Sequence, residues 1–468
     1  MRYLALIFAA ITSVEVHAFQ YVPRLIVNIT IDQLRTDYME AFYGYYTERG
    51  FKRLIKEGYY YDRVSYPFKP VDRSSSAAAL STGTTPFYNG IIGNSWLNRE
   101  TLQPLLSTDD ERYKNSPARL KTSTLSDELK VSTEGKAFVY SFANHKDAAI
   151  LFAGHAADGA FWIEGKQWQG SDYYRSALPK WLKEYNHQTE RKETRNDDFG
   201  SNDRVVDIAL QAIEHTAIGQ DDIPDLMYVT LSATTSDSKS VKDRSTEVKD
   251  AYKGLDALLG KLIDGIERHV KAERVLFVVT STGYYDEKIP DFDRYRVPTG
   301  TFYINRTASL LNMYLGAIYG SGKYVSQCFN NQIYLDRQLI EQKRISLSEL
   351  LKKCQTFLFQ NAGVVDVYTS ERLLAGGEDV QKLRAGFNPT ASGDIIVDVA
   401  PGWKLLNEDT QQSYTNRIGD IAFPVIFLGS HIPHEHITLP ITADRITPTL
   451  AKAIRIRAPN ACASIPLF

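Results

Sequence analysis

Residues 246–269 carry apolar side chains at three- and four-residue steps, from Val248 and Tyr252 through Leu255, Leu258, Leu259, Leu262 and Ile263 to Ile266. Residues 274–280 follow directly as a run apolar on both faces. An amphipathic helix that leads into such a strand needs helices over both sides of a mostly parallel sheet. The alternation recurs along the chain. Residues 24–31 form a β-branched run ending at Asp32, and residues 38–55 have helical spacing at Phe42, Tyr45, Tyr46, Phe51 and Leu54. Strands are predicted over 136–142, 225–231 and 423–428, and helices over 205–215 and 445–456. Both ends of the chain therefore feed one doubly wound α/β core with a mostly parallel sheet. Residues 19–468 are expected to be a single domain. Its cap insertions are expected at roughly 100–120, 158–203 and 284–411, stretches rich in Tyr, Trp, Asn and Asp.

The 54 basic and 56 acidic residues leave a formal charge of −2 with no long run of one sign, which argues against a nucleic-acid partner held by bulk charge. Residues 1–18 pair Arg2 with a short apolar run and end in Val16-His17-Ala18, the pattern of a cleavable secretory signal. The run is too short to span a bilayer, and no later stretch is long and apolar enough. The expectation is secretion across the inner membrane to the periplasm or beyond. Cys328, Cys354 and Cys462 allow at most one intramolecular disulfide, so covalent cross-links do not define the fold.

In open α/β sheets ligands bind beyond the carboxyl ends of the strands, which directs attention to the residues just after Ile31, Leu231 and Thr280. Several segments carry a family likeness. They are residues 27–35 (VNITIDQLR), 50–58 (GFKRLIKEG), 80–96 (LSTGTTPFYNGIIGNSW), 154–162 (GHAADGAFW), 424–429 (PVIFLG), 441–450 (ITADRITPTL) and 458–462 (APNAC). Together they resemble the alkaline phosphatase superfamily, in particular the phosphate-irrepressible alkaline phosphatases and the type I phosphodiesterase/nucleotide pyrophosphatases. The resemblance implies an alkaline-phosphatase-like fold. It also implies a phosphoryl transfer in which two zinc ions, roughly 4 Å apart, clamp the attacking and leaving oxygens while a Thr or Ser acts as nucleophile.

Of the six Asp and His ligands that the resemblance implies, only Asp32 is matched. Thr235 and Lys239 fall on the Asp and His positions after the middle strand. Ser281 and Thr282 replace the Asp-His pair after the next strand, and Ala422 replaces the last His. Arg73 falls on the nucleophile position with Ser74, Ser75 and Ser76 behind it. His145 and Asp147 fall where the family grips phosphate with Lys and Arg, while the Asn of the family's Gly-Asn-x-Trp motif is kept as Asn94. Neutral hydroxyls, a methyl and a cation cannot replace anionic and imidazole donors, so no cofactor is expected, with zinc as the alternative.

Arg73, Lys239 and Asn94 are expected to keep an anion pocket, helped by a helix start at Ser74–Ser76 whose free N–H groups favour anions. Asp32 and Asn94 also have plain structural readings, as a helix cap and a turn residue. The functional expectation is a catalytically inactive protein that binds a protein partner or an anionic, phosphorylated ligand. The alternative is an active phosphomonoesterase or phosphodiesterase with a rebuilt site that uses Asp32, Asp237, Asp286 or the histidines His431, His434 and His436. A carbohydrate- or protein-binding role on Trp162, Trp168 and Tyr173-Tyr174 is compatible with the inactive reading.

Overall fold

The computed structural model describes residues 21–189, 201–233, 241–285, 296–414 and 421–468, with backbone only for 241–245. Among these, ten strands form one mixed, mostly parallel sheet. Leu25–Asp32 runs at its centre, parallel to Asp225–Ser232 on one side and to Val275–Ser281 on the other. Beyond Asp225–Ser232 come Val139–Ala143, Gly159–Glu164 and the antiparallel Gln167–Gly170. Beyond Val275–Ser281 lies the antiparallel Phe423–Leu428, then Tyr59–Ser65, which is flanked by Glu435–Ile437 and Ile441–Thr442.

Side-chain alternation along the central strand divides the core. Leu25, Val27, Ile29 and Ile31 pack with the helices Asn202–His215 and Val241–His269, all four at 0% exposure. Full burial of such side chains contributes about 1.5–3 kcal/mol each. Ile26 points the other way, toward Arg73–Thr82 and Lys146–Ala153. Asn28, Thr30 and Asp32 share that second face by the same alternation, so it turns polar toward the carboxyl end of the strand.

The helical stretch expected over 38–55 is broken into a helix at Thr36–Ala41, a 3-10 turn at Tyr43–Tyr45 and a second helix at Phe51–Glu57. Asp256, on the long helix, causes the break. Its carboxylate accepts from the backbone N–H of Thr47 at 2.7 Å and of Phe51 at 2.8 Å, drawing the chain against it. A Cβ at Gly50 would lie 2.2 Å from the Asp256 carbonyl oxygen, so only glycine allows that approach.

Residues 300–414 build two smaller sheets around a separate apolar cluster that includes Leu311, Leu350 and Ile395. Val325–Phe329, Gln332–Leu335, Ile395–Val399 and Val364–Thr369 form one; Gly300–Tyr303, Trp403–Asn407 and Gln412–Tyr414 form the other. They are tied to the main sheet by the Arg99–Asp394 ion pair and by Asn388, which donates to the Phe87 carbonyl. Cys328, Cys354 and Cys462 are free thiols. Among the described residues no helix is long and apolar enough to cross a membrane.

Candidate functional site

Asp32 ends the central strand with its carboxylate buried beneath the Arg73–Thr82 helix. Thr282 donates to its Oδ1 at 2.6 Å and the Tyr284 hydroxyl to its Oδ2 at 3.2 Å. Arg73 Nη1 lies 3.6 Å from the same Oδ2. Arg73 Nε lies 3.0 Å from both oxygens of Asp147, in the first turn of Lys146–Ala153. One guanidinium therefore joins two buried carboxylates on different elements.

Burial pushes the Asp32 carboxyl above the usual carboxylate range, against the pull of Arg73. Burial also acts to raise Asp147, but Arg73 and His145 pull harder and hold it below that range. The difference follows from geometry, since Arg73 forks onto Asp147 and only approaches Asp32. Arg73 itself is raised, because the two carboxylates outweigh its own burial.

The helix carrying Arg73 begins one residue before the expected serine run, because Asp72 caps it. Asp72 accepts from the Ser75 N–H, and the Ser75 hydroxyl in turn engages the Asp72 backbone N–H and carboxylate. The Ser74 N–H goes to Asn94 Oδ1 at 3.1 Å, and the Asn94 N–H goes to Asp72 at 2.6 Å. The N–H groups expected to be free for an anion at Ser74 and Ser75 are thus taken by side chains of this chain. Arg73, expected to supply an anion pocket with its charge, faces two carboxylates instead.

Ser74 is at 0% exposure, and its hydroxyl bonds Asp147 Oδ2 at 3.0 Å and Ser107 Oγ at 2.9 Å. A hydroxyl so enclosed has no path to an incoming ester. Ser281 donates to the Leu34 carbonyl at 2.8 Å, and Ala422 presents only a methyl beside a carbonyl that accepts from Thr36. Thr235, Lys239, Asp237 and Asp286 lie outside the described residues.

The histidines near the closing strand do not converge. His436 pairs with Asp62 at 2.9 Å and stacks on Tyr60, while His431 lies 5.0 Å from the Tyr21 ring. Trp162 and Trp168 are core residues at 5% and 0% exposure, and Tyr174 donates to the Gly154 carbonyl, so these rings do not form an open binding platform.

Sequence reasoning treated Asp147 only as the loss of a phosphate-gripping cation. The signal available was compensation: against the pattern that the resemblance implies, Arg73 adds a positive charge and Asp147 a negative one. Ser107 and Tyr284 lie in segments without a motif, and the fold alone brings them in.

A two-zinc centre does not fit these residues. The oxygens of Asp32 already accept from Thr282 and Tyr284 and face the Arg73 guanidinium at 3.6 Å, and zinc takes carboxylate, imidazole or thiolate donors rather than hydroxyls that remain protonated. Among the described residues no group of three or more His, Cys, Asp or Glu could hold a metal ion.

Comparison with known proteins supplies the kinship. The chain is 24% identical to the alkaline phosphatase PafA of Elizabethkingia meningoseptica, over 95% of this chain and 94% of that protein. It is also 24% identical to the alkaline phosphatase PhoV of Synechococcus elongatus, over 94% and 91%. The crystal structure of PafA superposes with a TM-score of 0.82 at 24% identity, covering 96% of this chain and 98% of that one, which shows the same fold. Murine ectonucleotide pyrophosphatase/phosphodiesterase 5 superposes more loosely, with a TM-score of 0.57 at 13% identity over 93% and 96%.

These relatives correct one expectation. PafA and PhoV are alkaline phosphatases, and zinc, not the absence of any cofactor, is what this kinship implies. The described residues lack the donor set for it. The model of the type I phosphodiesterase / nucleotide pyrophosphatase family matches residues 26–420, most of the chain, and the chain belongs to that family.

Proposed function

We propose that this chain is a phosphoesterase-family member that no longer hydrolyses phosphoesters and acts instead as an exported binding protein. The observation that carries the reading is Arg73, a side chain without a nucleophilic lone pair, on the position the family resemblance gives to the nucleophile. It is clamped between Asp147 and Asp32. A guanidinium cannot attack phosphorus, and it stays protonated throughout the accessible pH range. The neighbouring Ser74 offers no replacement, because the carboxylate bonded to it is held below the usual range and is a weak proton acceptor.

Anion binding at Arg73 gains nothing from this geometry, since two carboxylates already face its one charge. The retained part of the family's function is the scaffold and its clefts. Export rests on the signal pattern of residues 1–18.

The test is turnover of p-nitrophenyl phosphate and bis-p-nitrophenyl phosphate by the purified chain supplied with zinc, from neutral to alkaline pH. The expected rate equals the enzyme-free blank. Turnover that scales with protein and disappears with a chelator overturns the reading.

A further inference from the structure

Beside the cap of the Arg73–Thr82 helix, a cavity of about 330 Å³ opens between Gly93–Ser95 of the main body and the sheets of residues 300–414. Its volume falls at the small end of the ~300–1,000 Å³ typical of small-molecule sites. Its chemistry is unlike that of a phosphoester site. No lysine, arginine or histidine lines it among the described residues, and its only carboxylates are Asp72 and Asp398.

Asp72 is consumed by the helix cap, with one oxygen on Ser75 and the other on the Asn94 N–H. Asp398 has no hydrogen-bond partner among the described residues. Burial and the facing Asp366 push its carboxyl above the usual carboxylate range, against the pull of Lys69. A single available carboxylate is too little to select a polycation, and with no cation among the described lining residues and Lys69 spent on Asp398 an anion is disfavoured.

What remains are unused neutral groups. Asn94 spends its Oδ1 on Ser74 and Gln332 its Oε1 on the Gly393 N–H, which leaves both side-chain NH2 groups without partners among the described residues. Asn330, at the turn between Val325–Phe329 and Gln332–Leu335, holds φ at 53°; its backbone engages the Tyr414 hydroxyl, and its side-chain amide is unpaired among those residues. Tyr414 spends its hydroxyl on Gln412 at 2.8 Å, so what it offers the cavity is its ring, beside Leu405.

We propose that this cavity binds a neutral polyhydroxylated ligand, one sugar unit of a glycan. Amide donors and the Asp398 acceptor would meet the hydroxyls, and the Tyr414 ring would meet the apolar C–H face. The assignment goes beyond the inactive reading and does not depend on it, because of the residues involved only Asn94 falls on a position that the family resemblance gives to phosphate, and Asn330, Gln332, Asp398 and Tyr414 do not.

The test is binding of the full purified chain to an array of neutral oligosaccharides. Sulfated and phosphorylated counterparts and spermine serve as competitors, and calorimetry is then run on the best neutral binder. At least a tenfold weakening is expected for each of Asp398→Asn and Asn330→Ala, with melting temperatures held near that of the parent chain. Tyr414→Leu should weaken binding by a comparable factor. Retention of no neutral sugar, preference for the anionic counterparts or spermine, or unaltered affinity in folded Asp398→Asn and Asn330→Ala overturns the proposal. Turnover of a phosphoester would sink the inactive reading alone and leave this one standing.

Discussion

Arg73 Nε is equidistant from the two carboxylate oxygens of Asp147, at 3.0 Å from each, which bridges the first turn of one buried helix to the first turn of another. Its Nη1 reaches toward Asp32 at 3.6 Å, so a protein cation stands among carboxylates at the carboxyl edge of the sheet. A buried ion network of this kind adds little net stability over an apolar replacement of the whole set. Removing one partner alone is costly, because the others stay buried and charged.

Arg73→Met should therefore destabilise the chain by about 3–5 kcal/mol at neutral pH. Urea unfolding followed by circular dichroism measures it. The deficit should shrink as pH falls, since Asp32 and Asp147, without their cation, take up protons in the folded state more readily than in the unfolded one. A deficit independent of pH would mean that Arg73 acts through packing and not through charge.

Asp127 and His155 form a second linked pair. The carboxylate accepts from the His155 and Ala156 N–H groups at 2.7 and 2.9 Å and faces His155 Nδ1 at 2.8 Å. Its hydrogen bond to Asp127 raises His155 above 6.5; burial acts to raise Asp127, but His155 pulls it below 3.8. The histidine's contribution is complete below 6.5 and is lost as pH rises through its folded value, while the aspartate's is complete above 3.8 and is lost on acidification. The stability lost in His155→Gln should thus be greatest between those limits, at about 1 kcal/mol given the partial exposure of His155, and should shrink on the alkaline side. Denaturation midpoints of both proteins across that pH series provide the check.

Gly386 marks where the smaller sheets meet the main body. A Cβ there would lie 1.9 Å from the Lys69 carbonyl oxygen, and Lys69 also donates its N–H to the Lys382 carbonyl at 2.9 Å. Gly386→Ala should cost about 1–3 kcal/mol through overpacking. It should also hasten proteolysis within residues 300–414 more than within the central sheet. Equal acceleration in both regions would count against a local effect.

The proposed export has a direct readout. The protein recovered from outside the cytoplasm should begin at Phe19, after the small-residue ending Val16-His17-Ala18. N-terminal sequencing decides it, and a chain still carrying Met1 would contradict the proposed signal.

The sequence by itself determined the central strands of the sheet and the long helices beside them, because strand and helix periods are local, but it placed the edge strands Gly159–Glu164 and Gln167–Gly170 in an expected insertion. The β-branched run ending at Asp32 is the observed central strand, and the apolar stripe from Val248 to Ile266 lies on the helix Val241–His269. Its resemblance to the family also singled out Arg73 and Asp147 as departures from the expected pattern. The sequence did not foretell the break after Ala41, since the cause, Asp256, lies about two hundred residues further on and acts through its carboxylate on Thr47 and Phe51. Tertiary structure likewise decided what the changed positions do. Arg73 and Asp147 lie 74 positions apart, and nothing along the chain says that the charge of one is neutralised by the charge of the other. Only the packing of two helices on the polar end of one sheet face brings them within 3.0 Å, and only burial makes the pairing obligatory, because neither charge could remain there alone.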